Sequence, residues 1–98
     1  MTTAVLEQQA GAAASFLKLL ANRERLLILY HLSHAATNVS NLEGMVQLSQ
    51  SALSQHLAKL REQGLVQAER RGQQVYYAVA DHKVRRMLGT LHALYAAA

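Results

Sequence analysis

The sequence predicts a mainly α-helical chain with one small β-hairpin, in the order α-α-α-α-β-β-α, and three observations carry that reading. Apolar residues recur at helical spacing through the first two thirds of the chain, the period switches to alternation just after Gly64, and helical spacing returns after Asp81. The composition agrees, because 51% of the 98 residues are hydrophobic while there is one Phe and no Trp. The core must then be built from Leu, Val and Ala, which suits packed helices. A single domain over residues 1–98 is expected. A domain of this size buries only about 60% of its unfolded surface, so a partner subunit would help it.

The first helix is expected over residues 4–20, where Leu6, Ala10, Ala13 and Leu17 keep one stripe. Its alanines permit close approach of another helix, from a second subunit or from the chain's own core. Asn22 can cap a second helix, in which Leu26, Leu27, Ile28, Leu29 and Leu32 are too many for one narrow stripe, so this helix should be central. A polar connection near residues 33–38 follows, with a short strand residue at Val39. His31 and His34 stand at i, i+3, a spacing that can ligate zinc, but no third ligand is evident nearby and the pair reads as surface. Ser40-Asn-Leu-Glu43 matches a capping box, which starts a short third helix running through Val46.

Gln47, Leu48 and Ser49 then make a three-residue turn into the helix from Ser49 to Gln63. Leu53, Leu57 and Leu60 would face a core, while Gln50, Ser51, Ser54 and Gln55 share the exposed front of the first turns. Ser49 is the N-cap, Arg61 sits in the last turn, and Gly64 supplies the left-handed stop. Gln pairs bidentately with adenine and Ser exchanges hydrogen bonds with base edges, so this front suits a major groove. A front of Gln and Ser is also ordinary solvated helix surface. Helix, short turn, helix is the arrangement that sets a second helix into DNA.

After Gly64, residues 65–71 read as a strand, Gly72-Gln73 as a turn and residues 74–80 as the return strand, with Val75, Tyr77 and Val79 alternating against Gln74, Tyr76 and Ala78. The tip carries Arg70, Arg71, Gln73 and Gln74, a wing that can lay cations on phosphate or simply stay solvated. Asp81 can cap a final helix through Ala96. Its apolar stripe of Val84, Met87, Leu88, Leu91, Leu94 and Tyr95 is wider than one small domain needs, and Arg85 and Arg86 flank it. With the first helix it suggests a two-fold interface built from Leu6, Ala10, Ala13, Leu17, Met87, Leu88, Leu91, Leu94 and Tyr95.

A formal net charge of +4 and a pI near 9.9 favour a polyanionic partner. The absence of Cys excludes disulfides, Cys-ligated zinc and thiol catalysis. No basic region precedes the first apolar residues, and no apolar run reaches the roughly 18 residues of a membrane span, so a cytoplasmic location is expected. No Ser, His and carboxylate fall into a nucleophile motif, which leaves a hydrolase without support. A domain that binds another protein through its last helix remains the rival to a DNA-binding one.

Three helices, a recognition helix, a hairpin and a closing helix make a winged helix-turn-helix, and the residues resemble the ArsR/SmtB family of bacterial repressors. The resemblance covers Phe16 to Tyr95. It rests on Leu-Ala-Asn-Arg-Glu-Arg-Leu-Leu-Ile-Leu (20–29), Leu-Ser-Gln-Ser-Ala-Leu-Ser-Gln-His-Leu (48–57), Leu-Arg-Glu-Gln-Gly-Leu-Val (60–66) and Val-Tyr-Tyr (75–77). Leu-Leu-Ile-Leu and Thr-Leu-His-Ala-Leu-Tyr (90–95) look most like the branch that senses sulfane sulfur or oxidants through a dithiol. That branch carries Cys where this chain has Tyr30 and Ala96, so the thiol switch is missing. The helix-three Cys motif of the metal sensors meets Asn38-Val39-Ser40-Asn41. Their last-helix ligand set meets only Asp81, His82 and His92, out of register.

The resemblance implies a homodimeric transcriptional repressor, not an enzyme, binding a pseudo-palindromic operator in double-stranded DNA. Together with side-chain chemistry it assigns bases to Gln50, Ser51, Ser54 and Gln55, with His56 a lesser candidate that can instead support the fold. Phosphates fall to Lys59, Arg70, Arg71 and Gln73. Arg25 is either another phosphate contact or the ion-pair partner of Glu24 or Glu62. No cofactor and no metal is expected. Control is left to the protein's own concentration or to a small organic ligand at the dimer interface, between the first and last helices, where Tyr30, His92 and Tyr95 offer polar groups.

Overall fold

The computed structural model describes residues 2–96. Along them run α1 (Thr3–Leu20), α2 (Arg23–His34), β1 (Thr37–Asn38), α3 (Val39–Val46), α4 (Gln50–Glu62), β2 (Val66–Arg71), β3 (Gln74–Val79) and α5 (His82–Tyr95). Each helix opens on a short polar side chain that accepts from an amide of its own first turn: Thr2, Asn22, Asn38, Ser49 and Asp81 in chain order. These caps satisfy donors that the helical ladder leaves orphaned. None of these helices is long and apolar enough to cross a membrane.

The start of α3 differs from the sequence reading. Asn38, not Ser40, is the cap: its Oδ1 accepts from the Asn41 amide at 2.8 Å. Val39 is the first helical residue and no part of a strand. The strand lies one step earlier, with Thr37 opposite Tyr77 and Asn38 opposite Tyr76. The reason is tertiary. Asn38 is buried, and its Nδ2 donates to the Gln74 side-chain oxygen on β3, so both polar ends of this one side chain are occupied where strand passes into helix. Ser40 stays exposed inside the first turn.

β3 is the middle strand of a three-stranded antiparallel sheet ordered β1-β3-β2. β2 and β3 pair in continuous register from Val66 opposite Val79 to Arg71 opposite Gln74. The hairpin turns at Gly72, whose φ of +64° lies in the left-handed region that glycine enters without steric cost.

The core lies between the helices and the inner face of this sheet. Ile28, Leu29 and Leu32 of α2, Leu42 of α3, Leu53, Leu57 and Leu60 of α4, and Val84 of α5 are each at most 1% exposed. α2 is central, as its crowded apolar sequence predicts. α1 is the opposite case. Only Phe16, Leu19 and Leu20 in its last turns reach the core, and residues 2–15 are all exposed. The radius of gyration of 14.6 Å exceeds the roughly 13 Å of a compact chain this long, as a projecting helix requires.

Candidate nucleic-acid interface

α4 is held from three directions, and these fix which of its faces is free. Leu53, Leu57 and Leu60 are buried, Ser49 Oγ accepts from the Ala52 amide at 3.1 Å, and Gly64 at φ +78° ends the helix. At about 100° per residue, Ser51 and Gln55 lie opposite the three leucines, Ser54 on the flank between, and Gln50 at the edge of the leucine stripe in the first turn; all four are exposed. The turn before α4 needs its own left-handed residue, and Gln47 supplies it with φ 57° and ψ 43°.

His56 sits apart from that front. It is half-buried, and its Nδ1 accepts from Arg25 Nε at 3.3 Å. Arg25 also donates from Nη1 to the Leu19 carbonyl at 3.5 Å. Of the two roles open to Arg25, the ion pair with Glu24 or Glu62 does not form: Glu24 pairs with Arg23 at 3.4 Å, and the half-buried Arg25 turns toward α4 instead. Lys59 is exposed one helical turn beyond Gln55. Lys18, in the last turn of α1 and not singled out in the sequence, lines one concavity with Arg25 and Lys59.

At the wing, strand alternation separates the two arginines. Arg70 shares the face of Val66, Val79 and Tyr77, while Arg71 shares the opposite face with Glu69 and Tyr76. Arg70 Nε donates to the Gly72 carbonyl at 3.2 Å, curling the side chain back over its own turn. Arg71 Nη2 lies 3.5 Å from Glu69, and its guanidinium stands 4.6 Å from the centre of the Tyr76 ring. Gln73 is exposed at the turn. Gln74 is tied back to Asn38 and so braces the wing against the start of α3.

The residues expected in a dimer interface fall into two groups. Leu6, Leu17, Leu94 and Tyr95 are 51%, 50%, 69% and 82% exposed, and Ala10 and Ala13 are exposed beside them. Met87 and Leu88 pack partly against the core, and Leu91 is half-buried. Tyr30 and His92 line a groove of about 350 Å³ between α2 and α5, together with His34 and Arg85. That groove lies between the second and last helices, not the first and last, and Tyr95 does not line it. His34 Nδ1 is 2.8 Å from the Tyr30 carbonyl, and Arg85 donates to the Ser33 carbonyl at 2.6 Å.

The family described as "Bacterial regulatory protein, arsR family" matches residues 17–68, from the end of α1 into β2. The transcriptional activator HlyU of Vibrio cholerae serotype O1 is 42% identical over 90 residues, which are 92% of this chain and 83% of that protein. The nodulation protein NolR of Rhizobium meliloti is 47% identical over 88 residues, 90% of this chain and 72% of its own. The solved structure of the transcriptional repressor BigR from Xylella fastidiosa matches with a TM-score of 0.92 at 30% identity, over 97% of each chain. The chain belongs to the ArsR family of bacterial regulatory proteins: it is a winged helix-turn-helix, DNA-binding transcriptional regulator and not an enzyme.

Proposed function

We propose that this protein acts as a homodimeric repressor whose two α4 helices enter successive major grooves of a pseudo-palindromic operator. The exposed front of α4 carries the reading. Gln50, Ser51, Ser54 and Gln55 are short or planar hydrogen-bonding side chains on a helix held rigidly from behind, which is the chemistry of base-edge recognition. Around them Arg25, Lys59, Arg70, Arg71 and Gln73 meet backbone phosphates. His56, engaged by Arg25, supports this arrangement more than it reads bases.

The homodimer is argued from unpartnered surface. α1 exposes every residue up to Ser15, and an isolated helical segment of that length is marginal in water. A second copy laid against α1 and the exposed end of α5 would cover Leu6, Leu17, Leu94 and Tyr95. A two-fold arrangement repeats each contact and sets two α4 helices one DNA turn apart. Release from DNA is governed by the protein's own concentration or by a small organic ligand near that interface, in reach of Tyr30 and His92.

The decisive experiment selects bound sites from a pool of genomic or random DNA. Recovery of an inverted repeat with half-sites one helical turn apart is the expected result; enrichment of single, unpaired half-sites would contradict the dimeric reading. Expression of a reporter behind the recovered site then separates repression from activation.

A further inference from the structure

Five of the ten Lys and Arg residues lie in two places around α4, and the wing with Arg70 and Arg71 is only one of them. On the other side Lys18 from the last turn of α1, Arg25 from the first turn of α2 and Lys59 from the last turns of α4 line a single concavity of about 370 Å³, completed by Ser15, Leu19 and Gln63. No carboxylate belongs to that lining. Among the described residues none of the three cations is ion-paired with a carboxylate. Arg25 is oriented within it, since Nε is engaged by His56 and Nη1 by the Leu19 carbonyl. The other terminal nitrogen, Nη2, keeps its donors for an anion.

The position of this notch identifies the anion. Lys59 follows Gln50 by nine residues, which at about 100° each is two and a half turns, so the two side chains leave α4 on opposite flanks. Gln50 lies on the flank that meets Gln74 and Val75 of the wing strand. The notch is therefore on the flank away from the wing, with the reading front between the two. An α-helix with its side chains is about 10–12 Å across and the major groove about 12 Å wide, so a helix seated in the groove meets phosphates along both walls.

We propose that Lys18, Arg25 and Lys59 form a seat for one DNA backbone phosphodiester, on the strand opposite the one the wing approaches, with His56 as the positioning residue that holds Arg25 in place. This rests on the DNA-binding reading and adds Lys18 to it. Clamped on both walls, α4 is fixed in depth and rotation, so that Gln55 and Ser54 meet base edges in one register.

The test compares the full-length protein with its Lys18→Ala/Lys59→Ala variant, measuring affinity for operator and for random DNA across a salt series. Neutralising one phosphate contributes a slope of about 0.9 in log K against log salt. The variant should therefore lose about one unit of slope per subunit on both DNAs, with the ratio of operator to random affinity unchanged. His56→Ala should lower the slope in the same direction, and His56→Gln, whose side-chain oxygen can accept from Arg25, should restore it. A merely structural role for His56 would lower the melting temperature and leave the slope alone. An unchanged slope in the lysine variant, while Arg70→Ala/Arg71→Ala still lowers it, overturns the seat and leaves DNA binding standing. A slope change confined to the operator also overturns it. A wild-type protein that binds neither DNA overturns both readings.

Discussion

Arg71 is at once offered to a polyanion and restrained by its own strand. The Tyr76 ring holds the plane of its guanidinium, while the Glu69 carboxylate at 3.5 Å competes with any incoming phosphate. Glu69→Gln should therefore tighten binding to operator and random DNA alike by about twofold, from the ~0.5 kcal/mol typical of an exposed ion pair. Titration at low salt checks this, and an unchanged or weaker affinity would place Arg71 away from the backbone. Base readout leaves a different signature: Gln55→Ala or Ser54→Ala should weaken operator binding by about 1–3 kcal/mol and leave random DNA nearly untouched. Equal losses on the two DNAs would remove these side chains from the base edges. Ser51, Ser54 and Gln55 were legible as exposed because helical spacing separates them from Leu53, Leu57 and Leu60, whereas Gln50 shares the Leu57 stripe and is exposed at the helix start. The contact of Arg25 with His56 was not legible, because it joins residues 31 positions apart, and no local pattern marks which of several cations turns inward.

The elements themselves are decided by their ends. α4 and α5 were readable to within a residue, since Ser49, Gly64 and Asp81 each act on their own helix. α3 was not, because Asn38 and Ser40 are both good caps and Ser40-x-x-Glu43 satisfies the local rule. The choice is made by pairing with β3, whose partner residues lie 36 or more positions away. Gln47 closes α3 in the left-handed region at φ 57°, a conformation that costs a non-glycine residue roughly 1–2 kcal/mol. Gln47→Gly should raise stability by about 0.5–1 kcal/mol after its own entropic cost, measured by urea unfolding; a loss would mean the Gln47 side chain makes a contact worth more than the strain. Asp81 gives α5 a dependence on pH. Partial desolvation pushes its carboxyl up, but hydrogen bonds from the Lys83 amide and side chain, with the charges of Lys83 and His82, hold it below 3.8 on balance. A depressed pKa in the folded state means its contribution is present above the unfolded value near 3.8 and is lost as pH falls through the folded one. Asp81→Ala should cost about 1 kcal/mol near neutrality, and less in acid once the pH has fallen through the depressed folded-state pKa and the wild-type carboxyl is itself protonated. Equal losses at both pH values would show that the charge contributes nothing to the cap.

At the scale of the whole molecule, the chain folds a core and leaves over a helix and a half. The core is closed by α2, α3, α4, the sheet, the start of α5 and the last turns of α1, while the rest of α1 projects and the end of α5 carries Leu94 and Tyr95 into solvent. Helical spacing in the sequence marks these residues as one stripe with Leu91 and Met87, and cannot tell which part of the stripe the chain covers by itself. The structure divides it: Met87 and Leu88 pack inward, and Leu94 waits. Removing a Leu side chain from water is worth roughly 1.5–3 kcal/mol when burial is complete, and a two-fold interface applies that gain twice for each position. The wild-type protein should therefore sediment as a dimer at micromolar concentration, and Leu94→Glu as a monomer with its helical content retained, because Leu94 contributes little to the core of its own chain. The same variant should lose operator affinity by much more than Gln55→Ala does. Two half-sites engaged by one linked pair of α4 helices gain from their effective concentration, and separated subunits forfeit that gain without losing a single base contact. A monomeric wild type, or a Leu94→Glu protein that still dimerises and binds the operator normally, would move the interface away from the exposed end of α5.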